Sequence, residues 1–442
     1  MLLYCAVPLY ISAVNRSPKV ATIVIDDDNT DGDRKLIMEQ RLNDTQATKQ
    51  RCDAVLSDSA MNAAIAGIAL IVLALLTGCG GKSTLKENTH FYPPPPQMPR
   101  VQFLTRYHSS EDLGIKNSGF KAFVTGEKEK KDQLNKPHSA VYYKGKLYIP
   151  DSRRFEVVIM DIANKTMTTL GKEEGIVFAK PLYVAIADDG FKYVADNGRK
   201  RIFVFNAKDQ YQSVIGEEGQ FSPTCVAVRG DKLYVADVKD KEVEIINRKT
   251  GAVIQTFRGD KDSPFKTFRM PVNLTVSPAG HLYVSDMLSN TVFEFDSTLQ
   301  YIRNYGRPGD TYGTFTRARG VAVDSSGLLF AVDAAFENVQ IFEPDSAKLV
   351  LFFGGPGGDP GDMYLPSGIT IAYSDLDVFK DYVDPRFNLD YVLVVANQYS
   401  QDGVSIYGFG KGLDKYFDDF SKEPIAPDTS MTPPSNSNAE SK

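Results

Sequence analysis

Residues 317–343 read "RARGVAVDSSGLLFAVDAAFENVQIFE". Three short runs rich in β-branched and aromatic residues ("GVAV", "LLFAVD", "VQIF") are separated by two polar or small-residue turns, the pattern of consecutive antiparallel strands. The phrase recurs along the chain as "KGKLYIPDSRRFEVVIMD", "DGFKYVADNGRKRIFVFN", "RGDKLYVADVKDKEVEIIN", "AGHLYVSDMLSNTVFEFD" and "LDYVLVVANQYSQDGVSIYG". Each copy has an aromatic–apolar strand ending on Asp151, Asp196, Asp237, Asp286, Asp333 or Asn397. A second strand starts six residues after each Asp, at Val157, Ile202, Val243, Val292 and Val339, and seven after Asn397, at Val404.

A third strand precedes each unit ("PHSAVYY", "PLYVAIA", "PTCVAV", "PVNLTV", "ARGVAV", "PSGITIA"), and a fourth follows the first five ("TMTTLG", "YQSVIG", "AVIQTFRG", "LQYIRNYG", "AKLVLFFG"). Consecutive Asp positions lie 45, 41, 49 and 47 residues apart, with 64 more to Asn397. Four strands per repeat of about 40–50 residues is the signature of propeller blades, each burying its faces against its neighbours. The expected fold is all-β, a six-bladed β-propeller of four-stranded antiparallel blades over residues 101–409. The sixth unit has no fourth strand after "VSIYGFG", but "VQFLTRYHSS" aligns with "LQYIRNYGRPGD". Val101–Tyr107 is therefore expected to complete the last blade, closing the ring and removing exposed sheet edges.

The pattern of a Gly-rich turn, P-x-G-V-A-V-D-x-x-G-x-L-Y-V-A-D and V-x-x-F resembles the NHL repeat over residues 101–409, with "RARGVAVDSSGLLFAVD" and "RGDKLYVADVKDKEVEII" as its best copies. That resemblance implies a six-bladed propeller.

Upstream, "MNAAIAGIALIVLALLTGCGG" from Met61 has a short polar start and an apolar stretch from Ala63 to Leu76. The stretch is shorter than the ~20 residues of a spanning helix and suits a signal h-region. Leu76-Thr77-Gly78-Cys79 resembles the lipobox of bacterial lipoprotein precursors. The resemblance implies cleavage before Cys79 and its lipidation, although no Lys or Arg precedes the h-region. Residues 1–60 are read as an uncertain leader or a mis-called start, 61–78 as the signal peptide, and 79–100 with "YPPPP" as a lipid-anchored polyproline stalk. Residues 410–442 are polar and Pro/Ser-rich, read as disordered. In the leader, Asp27, Asn29, Asp31 and Gly32 match an EF-hand loop, but Met38 replaces its bidentate Glu.

Cys225 is the one cysteine away from the signal region and leader, so no internal disulfide is expected in the mature chain, and no C-x-x-C occurs. Net charge is −6, arguing against a nucleic-acid binder.

The strand starts His138, Leu182, Thr224, Val272, Arg319 and Ser367 are expected to ring one mouth of the central channel. Some NHL-like propellers are lyases or lactonases with metal-binding histidines there. Zinc catalysis needs about three converging ligands; of four histidines, His90 falls in the stalk and His108 and His281 outside the ring, leaving His138 alone. The recurrent Asp residues read as turn acceptors, since copies in different blades cannot easily converge, and no metal or cofactor is expected.

Two features break the symmetry. The loops after the Asp-ending strands, the second strands of each blade, carry Arg153, Arg154, Arg199, Lys200, Arg201, Lys239 and Lys241 in blades one to three and no basic residue in blades four to six. Such a half-face can steer an acidic partner or simply be solvated. Blade six has a long insertion with Tyr373, Phe379, Tyr382 and Phe387 among aspartates, suited to a protein contact or to packing on itself.

The arrangement of lipobox, stalk and blades resembles bacterial propeller lipoproteins, some encoded beside multihaem cytochromes. The expectation is a lipid-anchored envelope module, at the outer membrane, that binds or scaffolds an envelope protein such as a multihaem cytochrome. A metal-dependent lyase or lactonase in the channel is the alternative.

Overall fold

The computed structural model describes residues 89–115, 132–217, 219–399 and 403–413. Cys79, the leader and signal segments, residues 116–131 and most of the C-terminal tail lie outside them. Six antiparallel sheets form the six blades. The innermost strands are Val141–Tyr143, Pro181–Ile186, Pro223–Arg229, Pro271–Val276, Ala318–Val323 and Pro366–Ala372, and each touches the next around the channel. Helix among the described residues is confined to two 3-10 segments, Ser110–Leu113 and Leu376–Tyr382.

Closure is as the repeat implied. Val101–Tyr107 pairs antiparallel with Val404–Gly412, from Val101 opposite Phe409 to Tyr107 opposite Val404. A fifth strand, Phe91–Tyr92, then adds to Val101–Tyr107. Thus residues read as stalk belong to the blade. Phe91 is buried against Phe387, ring centroids 5.9 Å apart, and the Gln97 N–H donates to the Pro94 carbonyl at 3.2 Å, turning the proline run back. The last long strand runs to Gly412, past the expected boundary at 409.

Each blade buries both faces of its middle strands. In blade three Leu233, Val235, Val243, Ile245 and Ile246 are buried, packed in one cluster with Phe293 and Phe295 of blade four. On the scale of about 25 cal/mol per Å² of apolar area, such inter-blade contacts are the main stabilising contribution. The inner ring tightens at two glycines. A Cβ on Gly320 would come within 2.7 Å of the Ser367 carbonyl, and one on Gly368 within 2.7 Å of the His138 carbonyl. The corresponding residues of blades two to four are Tyr183, Cys225 and Asn273, so the close approach is local to blades five, six and one. Cys225 is buried there, its Sγ 3.5 Å from the Leu274 carbonyl, and burial pushes its thiol up to about 12.

The recurrent Asp residues, all fully buried, clamp two loops each. Asp196 accepts from Ala179 (2.7 Å) and Lys180 (2.8 Å) of the preceding inter-blade loop, and from Gly198 (2.9 Å) and Arg199 (3.0 Å) of the next turn. Asp151 and Asp333 repeat the arrangement with four backbone N–H groups apiece, and Asp286 with three. Local turn chemistry accounts for half of this role. The other half ties each blade to the loop arriving from its neighbour.

Candidate functional site: the channel mouth

All six expected strand starts, His138, Leu182, Thr224, Val272, Arg319 and Ser367, line one cavity of about 300 Å³ at the channel mouth. Lys136, Lys180 and Met270 before the inner strands, Met287 and Gln398 after the second strands, and Asn273 within an inner strand join them. No carboxylate lines it, so the mouth is cationic. Periodicity located the strand starts; Lys136 and Lys180 escaped notice because they sit one position before the repeat's proline, outside any strand.

His138 is held at both ring nitrogens. Nε2 lies 2.9 Å from Ser152 Oγ and Nδ1 lies 3.0 Å from Gln398 Nε2. Either orientation of the amide engages both nitrogens, leaving no lone pair for a proton or a metal. Burial, then the charges of Lys136, Arg319 and Lys180, lowers its pKa to about 3. The backbone carbonyl of His138 also accepts from Ser367 Oγ at 2.6 Å. A zinc site needs three convergent ligands, and this donor set does not make one. Arg319 projects a guanidinium whose Nε is buried without a hydrogen-bond partner. Burial, then neighbouring Arg317, lowers its affinity for its proton.

Around the mouth the basic loops divide. Arg154 is committed to Glu156 (2.7 Å) and Asp132 (2.6 Å), and Lys239 to the Gly219 carbonyl (2.9 Å) and Asp240 (3.6 Å). Arg201 is half-buried, with Nε inside. Arg154 is thus neutralised by neighbouring acids and Arg201 is drawn partly inside, whereas Lys239 stays exposed despite its contacts. Arg199, Lys200 and Lys241 are exposed. Arg153 and Lys136 both lie over the Tyr399 ring, at 5.4 and 4.8 Å, a cation–π pairing across blades one and six.

The same face concentrates exposed apolar groups. Phe155, Leu288 and Tyr399 lie in loops after second strands, and Val177, Tyr312 and Tyr364 in inter-blade loops. All these loops open on the mouth side of the ring.

The blade-six insertion lies at the opposite face, and its aromatics are largely spent within the fold. Phe379 is fully buried against Tyr142 (5.1 Å) and Phe387 against Phe91, so neither can serve as a partner contact. Tyr373 and Tyr382 remain exposed. The Tyr373 hydroxyl accepts from Ser325 N–H at 2.9 Å.

A second cavity of about 260 Å³ opens on that face between blades four and five. Its buried Glu294 accepts from Tyr283 (2.8 Å) and Tyr305 (2.9 Å), and meets His281 Nδ1 (2.8 Å) and Arg303 Nε (3.3 Å). A carboxylate so fully engaged reads as a network joining strands.

No protein-family model and no curated protein matches the chain. Among solved structures it is similar to a streptogramin B lyase (11% identity, TM-score 0.44, 63% of this chain and 94% of that one). Others are the hydrazine synthase of Kuenenia stuttgartiensis (15%, 0.42, 63% and 97%) and a protein of unknown function from Bacteroides thetaiotaomicron (14%, 0.46, 70% and 75%). The six sheets themselves establish the propeller.

Proposed function

We propose that this chain is a lipid-anchored envelope propeller that binds an acidic protein on its channel-mouth face. One observation carries the reading: exposed Phe155, Val177, Leu288, Tyr312, Tyr364 and Tyr399 surround a mouth lined by Lys136, Lys180 and Arg319 and by no carboxylate. Aromatic side chains and arginine are the residue types enriched at protein-binding surfaces. The positive field steers an acidic partner to the face, and a carboxylate of that partner entering the mouth would supply the acceptor that Arg319 Nε lacks. The resemblance in the sequence makes a multihaem cytochrome of the envelope the first partner to test. The lyase or lactonase reading fares worse, because His138 has both nitrogens engaged.

The test is in-cell cross-linking from a photoreactive residue at Tyr312, followed by mass spectrometry. Wild type is expected to capture a defined acidic envelope protein, and Lys136→Glu/Lys180→Glu to reduce that capture at least tenfold. Equal capture by the double variant, or by a probe at Val350 on the outer rim, refutes the docking face. The N-terminal peptide in the same spectra tests the anchor: an intact Met1 start removes the envelope assignment and leaves the docking result standing.

A further inference from the structure

We propose that blade three binds a divalent cation between Asp237, Glu242 and Glu244. The sheet register brings them together: Asp237 pairs directly with Glu242 across two antiparallel strands, and Glu244 lies two residues on, on the same face. One carboxylate oxygen from each falls within 4.8 Å of the others, and all three residues are buried. The sequence reading, which looked for convergence only between blades, missed that one blade assembles three acids by itself.

The other blades supply the comparison. Asp151, Asp196, Asp286 and Asp333 use both carboxylate oxygens to accept backbone N–H groups. Asp237 uses one. Oδ1 accepts from Ser222 (3.0 Å), Lys239 (2.8 Å) and, at 3.4 Å, Asp240, while Oδ2 is buried without a hydrogen-bond partner. A buried acceptor left unpaired is costly, and here it is withdrawn from the clamp in the one blade that places two glutamates beside it. Where blade three has Glu244, the matching positions of blades one, two, four and five hold Val158, Phe203, Phe293 and Gln340.

The remaining groups do not balance the site. Arg258 Nε lies 2.7 Å from Glu242 Oε2, but its side chain is largely exposed, and Gln220 Nε2 donates to Glu244 at 3.3 Å. One cation thus faces three carboxylates. Three carboxylates with no imidazole or thiolate select a hard ion: Ca²⁺, Mg²⁺ or Mn²⁺ over zinc or copper. Mono- or bidentate carboxylates supply part of the shell, and water from the Arg258 side completes it.

The experiment uses the full chain, stripped with EDTA and titrated separately with Ca²⁺, Mg²⁺ and Mn²⁺ at pH 7.5 by calorimetry and thermal melting. One ion per chain is expected, with Tm raised by about 5 °C at a hundredfold excess over Kd. Glu244→Gln and Glu242→Gln should each weaken binding at least tenfold. Metal-free Glu244→Gln should melt no lower than metal-free wild type, which separates lost binding from lost fold. No heat and no Tm change with any of the three ions at millimolar concentration, or unchanged binding in both variants, overturns the proposal.

Discussion

Asp196 and Asp237 occupy the same repeat position, yet replacing each by Asn is expected to act with opposite sign. In Asp196→Asn the amide oxygen can keep the three N–H groups now on Oδ1, but the amide nitrogen then meets the Ala179 N–H, 2.7 Å from Oδ2. The flipped amide orphans three donors instead of one. An unpaired buried donor costs about 1–3 kcal/mol, and the retained bonds lose their charge assistance, for a total of about 3 kcal/mol. In Asp237→Asn, Oδ1 keeps Ser222 and Lys239, while the new amide replaces an unpartnered Oδ2 and faces two glutamates as a donor. The expected change runs from zero to a gain of about 1 kcal/mol. In a domain of this size 1 kcal/mol moves Tm by about 2 °C. In EDTA, Asp196→Asn should therefore melt about 6 °C below wild type, and Asp237→Asn level with it or slightly above. If Asp237→Asn falls as far as Asp196→Asn, the difference between the clamps is not energetic and the reasoning fails.

Metal-free stability should depend on pH through Glu244. Its folded pKa of about 7 lies above the ordinary 4.5, so the folded state holds the proton more tightly, and stability present below pH 4.5 is lost as pH rises to about 7. Glu244→Gln should flatten the Tm profile in that window; an unchanged profile counts against the cluster. Val101→Asp, placing a charge at a fully buried position of the closing strand, should open the last blade and expose its edge, seen as aggregation at temperatures where wild type is monodisperse. Retained solubility and Tm would mean that closure contributes little. Gly368→Ala, whose Cβ would meet the His138 carbonyl at 2.7 Å, should cost about 1–3 kcal/mol as overpacking, whereas the matching ring position of blade three already accommodates Cys225, so Cys225→Ala creates no clash and leaves only a small cavity of lower cost. Chemical denaturation distinguishes them, and equal loss at both sites contradicts the local tightening.

The blades were legible in the sequence because a period of 40–50 residues repeats strand by strand, and the closing strand because one unit was short by a piece that the N-terminal end of the domain could supply. The channel residues were legible for the same reason: Pro, or Ala318 in blade five, marks where the inner strands of blades two to six begin, and Pro137 lies four residues before that of blade one. What stayed hidden depends on register or on side-chain partners. Phe91–Tyr92 is too short to show a period, and polyproline composition pointed away from a turn. Whether Arg154 faced a partner stayed open because its own partner Asp132 is distant in the pattern. For Phe379 and Phe387 the choice between a partner contact and packing within the fold stayed open because an insertion has no repeat against which to judge burial.

A repeat fold carries its own controls, and here they separate stability from function. Features that recur in every blade, such as the buried Asp clamp, follow from the shared task of joining neighbouring blades, and they carry no information about a ligand. Departures are informative only when the ring cannot account for them. Gly320 and Gly368 depart because backbone carbonyls of the next blade approach too closely for a side chain, so geometry explains them. Glu242 and Glu244 face no such constraint: apolar, neutral or singly charged residues occupy those positions elsewhere in the ring, and three like charges in one buried face oppose folding. The cationic mouth is the same kind of departure. Lys136, Lys180 and Arg319 converge where no clamp requires a charge, and Arg319 Nε remains unpaired. Groups that cost the isolated fold stability and are left short of partners within it are the ones whose partners are to be sought outside it.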